Sequence, residues 1–374
     1  MMIFIGKPIV KKASQLGGVI RNSVALILFT LSVGSQVWAQ SFAIAYGPAT
    51  VHPAEPGGFK ARLQDRHFWP VKPIHIIGNV YYVGLSGSES WLITTPQGHF
   101  LMNMGVPKEV RTSVEELGFK FSDIKYLIPG HPHHSHVAGL AEMKEMTGAK
   151  VLAMEEDIPH YADGGESEDY LPNMLGPVFP PVKVDQALHD GDKITIGGVT
   201  MTAHLTPGHT PGCTTWTTVA EEKGKLYTVV LLGGCTPMNQ PLVGNTQNPT
   251  VAQQFVKQYK TLRSIKGDVL LGLSPKTWFD LNDTAKRMEK NPGTNLFINP
   301  QAYQEYVATN EKKFYDQWQR EKEGKQANPI IITASPPCPK DARACYNSYD
   351  IIMDCCKKLG ATPIPYTVTT LAAP

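Results

Sequence analysis

His131-Pro132-His133-His134-Ser135-His136 places four imidazoles within six residues. The run follows an apolar, strand-like stretch at residues 124–128 and precedes a segment of helical spacing, 137–147, that is closed by Gly148. It therefore occupies a strand-to-helix loop, where chemistry-bearing residues concentrate. Imidazole is the commonest zinc ligand, and two histidines separated by one residue in extended backbone can reach a single ion from the same side at about 2.0–2.1 Å. A merely solvated histidine-rich loop would need neither the strand before it nor the helix after it. His131 and His133 are candidate metal ligands on this ground.

A second motif lies downstream. Thr206-Pro207-Gly208-His209-Thr210-Pro211-Gly212 follows a strand-like run at 199–205, and its two glycines and two prolines fix a tight loop. Alone, His209 could be an exposed turn residue. Joined to the first cluster it completes a three-imidazole site and leaves the fourth tetrahedral position open for water.

Around these motifs the chain alternates strands and turns. Residues 74–83 read as one strand. Residues 91–95, a Pro96-Gln97-Gly98 turn and 99–102 form a hairpin signature, repeated at 192–196, Gly197-Gly198 and 199–205, and 226–232 adds a further apolar β-rich run. Helical spacing recurs at 108–118, 137–147, 250–265 and 300–320. The sum is an α+β fold of two mixed sheets sandwiched by helices. The chain has 374 residues, 42% hydrophobic and 18% charged, which suits a globular protein with a sizeable core and excludes a disordered chain.

Residues 1–39 read as a signal peptide: Lys7, Lys11, Lys12 and Arg21 precede an apolar run at 24–33 and the small-residue site Val37-Trp38-Ala39. That apolar run is shorter than the ~20 residues a membrane-spanning helix needs. Cleavage after Ala39 takes the formal charge from +2 to about −2, which gives no footprint for nucleic acid, and places the mature protein in the periplasm or outside the cell with no membrane association. The expected organisation is one domain at 40–326 and an extension at 327–374. Export permits disulfides, and Cys338, Cys345, Cys355 and Cys356 could staple that extension.

HxHxxH followed by TPGHTPG resembles the metallo-β-lactamase superfamily. The run from Ile76 to Gly84 (IIGNVYYVG), LITTPQGH at residues 92–99, and the stretch 180–216 resemble its B3 subclass of β-lactamases, a likeness that spans roughly residues 60 to 320. The resemblance implies an αβ/βα four-layer sandwich with zinc at the sheet edges. It also implies a small-molecule substrate, a penicillin, cephalosporin or carbapenem, whose hydrolysis by metal-bound hydroxide confers β-lactam resistance. His131, His133 and His209 match the first zinc site. The second site departs from the pattern: Ser135 stands at an aspartate position, Ser274 at a histidine position, and Asn103 at another familiar aspartate. Of the usual second-site ligands His136 remains. Gly233-Gly234-Cys235 resembles the run with which other subclasses place a thiolate on the second ion, so Cys235 reads either as a ligand or as a buried small hydrophobe.

Ser135 and Ser274 are poor metal ligands; their hydroxyls can orient the nucleophilic water by hydrogen bonding, and both are candidate catalytic residues in that sense. The expectation is one tight zinc ion, with a second binding weakly or only with substrate. His134 and Cys213 read as structural, and His160, His189 and His204 lack ligand spacing. A lactonase or thioester hydrolase on the same scaffold is the alternative, as is a zinc-binding protein without catalysis.

Overall fold

The computed structural model describes residues 70–86, 88–167, 179–234, 236–237, 240–272 and 277–325, with strands at 330–333 and 367–370. The expected signal peptide, the four cysteines of the C-terminal extension, Cys235 and Ser274 lie outside the described residues. No described helix is long and apolar enough to cross a membrane.

The chain opens with a meander. β1 (Ile74–Ile77) and β2 (Val80–Tyr82) replace the single strand expected from the apolar run, because Gly78, at φ +53°, and Asn79 turn the chain between them. β3 (Trp91–Ile93) and β4 (His99–Met102) form the expected hairpin. α1 (Pro107–Glu116) then crosses to β5 (Ile124–Leu127), parallel to β4. The helix expected from 137 is divided into a short α2 (His134–Val137) and α3 (Leu140–Thr147). Gly139 marks the division: its N–H donates to Met104 O at 2.7 Å, and any side chain there would run into Pro107.

β6 (Lys150–Met154), the small α4 (Ile158–Ala162) and β7 (Gln186–Leu188) complete the first sheet, ordered β1 to β7 across its width. The second sheet comprises β8 (Lys193–Ile196), β9 (Val199–Leu205), β10 (Thr214–Glu222), β11 (Lys225–Leu231) and, after α5 (Val251–Ser264), β12 (Val269–Leu271), in the order β12-β11-β10-β9-β8. α6 (Thr277–Glu289) and α7 (Pro300–Lys322) follow. Among the described residues, β13 (Ile330–Thr333) and β14 (Thr367–Thr370) form a two-stranded antiparallel sheet.

Period-two alternation assigns the faces. Trp91, Ile93, Phe100 and Met102 of the first sheet meet Met201, Ala203, Trp216 and Leu231 of the second in the central core. Leu92 and Leu101, on the opposite face, pack with Val110 and Val114 of α1 and Leu140 and Met143 of α3. Val230 and Leu232 face Phe255 and Tyr259 of α5 and Tyr303 and Phe314 of α7. Helix, sheet, sheet, helix is thus the layer order, the expected αβ/βα sandwich. β5 and β9 run into the loops that carry the histidine motifs; β4 runs in the same direction as β5 in the first sheet, and β11 and β12 in the same direction as β9 in the second.

Candidate metal centre

β5 ends at Leu127, and residues 128–133, which bend at Gly130 and His131, precede α2, so the His131-x-His133 pair lies in the expected strand-to-helix loop. His131 is buried and His133 half-buried. From the other sheet β9 ends at Leu205, and Thr206–Gly212 brings a buried His209 to the same place. The His131 ring centroid lies 4.5 Å from that of His133 and 4.4 Å from that of His209, and His133 and His209 are 4.7 Å apart. One nitrogen from each ring falls within 4.8 Å of the other two.

Each ring is aimed by its remaining contacts. His131 Nδ1–H donates to Gly233 O, and His209 Nδ1–H donates to Thr236 O at 2.9 Å, so both rings present Nε2 as the lone-pair atom. His209 Nε2 lies 3.1 Å from His133 Nδ1. Two imidazole nitrogens on one tetrahedral zinc ion stand about 3.3 Å apart, close to that spacing. His131 Nε2 is buried and has no hydrogen-bond partner among the described residues, which leaves a lone pair out of water with nothing to accept from. A cation among the three rings satisfies it, and the donor set fits zinc.

The electrostatics favour neutral rings, the form that ligates metal. Desolvation pushes His131 well below the usual histidine range, reinforced by its neighbours His209, His136 and His133. Burial, followed by His133, drives His209 to about 3.

The loops are braced from behind. Thr214 N–H donates to Gly130 O at 2.8 Å, which joins the two sheets one residue before His131. Asn103, fully buried at φ +60°, accepts from Gly130 N–H at 3.2 Å through Oδ1. Asp157, in the turn after β6, accepts from Thr210 Oγ1–H at 2.7 Å and from Gly212 N–H at 2.6 Å, and Gln240 Nε2–H donates to Gly208 O at 2.6 Å. Gly234 allows the closest approach: a Cβ there would sit 2.9 Å from His209 Cδ2, at a φ of +156° that disfavours side chains. The sequence offered no sign of Asp157, Gln240 or the two carbonyls, because backbone acceptors carry no residue signature and Asp157 precedes His209 by a whole hairpin.

The second-site candidates are placed as follows. The His136 ring lies 4.5 Å from that of His131, and its backbone N–H donates to His133 O at 2.9 Å. Ser135 sits in α2 beside it, with its side chain outside the described set, as are Ser274 and Cys235. Buried Cys213 directs its thiol to Gly234 O at 3.6 Å and does not join the triad. His189 pairs with Glu155 and His204 with Thr217, both away from the cluster. Trp91 and Trp216 belong to the central core.

This sandwich, with imidazoles from both sheets meeting at one edge, defines a metallohydrolase-like fold and site. The family model described as the metallo-beta-lactamase superfamily matches residues 83–221. Among solved structures, native FEZ-1 metallo-beta-lactamase from Legionella gormanii is 36% identical, aligned over 68% of this chain and 98% of that one at a TM-score of 0.64. BJP-1, a subclass B3 metallo-beta-lactamase of Bradyrhizobium japonicum, is 32% identical over 70% of this chain and 98% of that one, at a TM-score of 0.63. The chain belongs to the metallo-beta-lactamase superfamily. A hydroxyacylglutathione hydrolase of Pseudomonas aeruginosa is 32% identical over 94 residues, 25% of this chain and 27% of that protein, so the chain spans about a quarter of the curated relative it matches.

Proposed function

We propose that the protein is an exported zinc-dependent β-lactamase that works with one tightly held ion. The observation that carries this is the convergence of His131, His133 and His209 from two sheets, with the buried Nε2 of His131 left without a hydrogen-bond partner among the described residues. Near full-length alignment with two metallo-beta-lactamases supports the β-lactam as substrate class.

Zinc in such a site supplies Lewis acidity toward a carbonyl and a water whose pKa falls toward ~7. The protein's own part is preorganisation. The carbonyls of Gly233 and Thr236 fix the tautomers of His131 and His209, and burial keeps both rings neutral. His136 stands one ring away from His131, and without an aspartate at 135 or a histidine at 274 a second ion has few ligands and binds weakly. The hydroxyls of Ser135 and Ser274 serve to orient the attacking water.

The experiment is hydrolysis of a carbapenem by the purified protein, before and after chelation and again after zinc is restored. Activity that is lost and regained supports the proposal. A second reading, a thioester hydrolase, is favoured by the match to hydroxyacylglutathione hydrolases; turnover of an acylglutathione with none of any β-lactam would establish it instead. Zinc uptake with no turnover of either would mark a binding protein.

A further inference from the structure

Gln258 lies on the buried face of α5, between Phe255 and Leu262 and beside Tyr259, in an otherwise apolar layer. A carboxamide out of water there is costly unless its groups are met. Oriented with nitrogen toward the sheet, Gln258 Nε2–H donates to Thr206 O at 3.0 Å and to Gly234 O at 3.2 Å. These carbonyls belong to different loops. Thr206 opens the loop that carries His209; Gly234 lies in the loop whose Gly233 and Thr236 carbonyls orient His131 and His209. Gln240, whose N–H donates to Pro237 O at 3.0 Å just beyond Thr236, holds the first loop at Gly208, and Asp157 holds it at Thr210 and Gly212; Gln258 spans the two loops nearer their start, at Thr206 and Gly234.

We infer that Gln258 is a positioning residue of the metal centre, clamping the loop that carries one imidazole to the loop that aims two. The inference rests on the metal-centre reading above. It follows from the geometry: if residues 233–236 slide relative to 206–212, Gly233 O and Thr236 O no longer point at the two Nδ1–H groups, and both Nε2 lone pairs turn off their common focus. A side chain needed only for packing between Phe255 and Leu262 would be apolar.

The test is zinc affinity of the full chain by competition with a chromophoric chelator, with thermal melts of the metal-free forms and absorption spectra of the cobalt-loaded forms. Gln258→Met keeps the unbranched length and removes both donors; Gln258→Glu keeps the shape but sets an acceptor against two carbonyls. Phe314→Leu, which thins the same helical layer at the rings of Phe255 and Tyr259 and removes no hydrogen bond to either loop carbonyl, is the control. Zinc binding about tenfold weaker in Gln258→Met, weaker again in Gln258→Glu, with shifted cobalt bands and with Phe314→Leu binding as wild type, is expected. Wild-type affinity in both Gln258 variants overturns the inference, as does an equal affinity loss in Phe314→Leu at matched melting temperature. No zinc uptake by wild type would overturn the metal centre itself, and the inference with it.

Discussion

Replacing Asp157 by alanine separates the brace of the His209 loop from the ligands themselves. Its carboxylate is buried and accepts from Thr210 Oγ1–H at 2.7 Å and from Gly212 N–H at 2.6 Å. Hydrogen bonds to a charged acceptor contribute about 1.5–3 kcal/mol each. Alanine forfeits both but also relieves the desolvation cost of a buried charge, so the net loss is about 2–4 kcal/mol. For a fold of this size that lowers the melting temperature by roughly 5–15 °C. Because Thr210 and Gly212 follow His209 in the same loop, zinc affinity should fall about 10–100-fold as well. Asparagine should be milder: its Oδ1 can accept from Gly212 N–H while its amide nitrogen faces the Thr210 hydroxyl, which can accept instead. The assay is a thermal melt of the metal-free protein paired with zinc competition for wild type, Asp157→Asn and Asp157→Ala. A melting temperature for Asp157→Ala within a degree or so of wild type, with unchanged affinity, would refute the reasoning.

Gly234→Ala should leave the fold intact yet weaken zinc binding about 10–100-fold, since the new methyl would stand 2.9 Å from the His209 ring; chelator competition reads it. His136→Ala should keep the tight zinc equivalent while His209→Ala loses it, because only His209 belongs to the triad; metal content after exhaustive dialysis decides. Desolvation lowers His99 and His204 below the ordinary histidine value, so the unfolded chain binds more protons between that value and the folded one. Their contribution to stability is therefore complete above pH ~6.5 and is lost as pH falls, at no more than about 1.4 kcal/mol per pH unit for each group. Urea melts at pH 7.5 and 5.5 test this, and a flat response, or an equal response in a His99→Gln, His204→Gln double variant, would contradict it.

The triad was legible in the sequence because imidazoles at HxH spacing after a strand, and in a Gly/Pro-locked loop after another, have few other uses. The layer order followed from hairpin and helix spacing. Other features were hidden for physical reasons. Thr214–Glu222, a central strand of the second sheet, reads as polar because of its threonines, although β-branched side chains suit a strand. The turn at Gly78-Asn79 is masked by apolar residues on both sides. Gly139 divides a helix through contacts with Met104 and Pro107 that only the fold creates. Gly233-Gly234-Cys235 drew attention for its thiol; the structure gives the glycines their own use, since any side chain on Gly233 would collide with the Thr214 backbone, and Gly234 packs against His209.

The most direct test is an anomalous-scattering map at the zinc edge from crystals of zinc-loaded protein. One strong peak is expected at about 2.0–2.1 Å from His131 Nε2, His133 Nδ1 and His209 Nε2, with weak or no density beside His136. Absence of a peak among those three nitrogens, or two peaks of equal strength before substrate is added, would contradict a single tightly held ion.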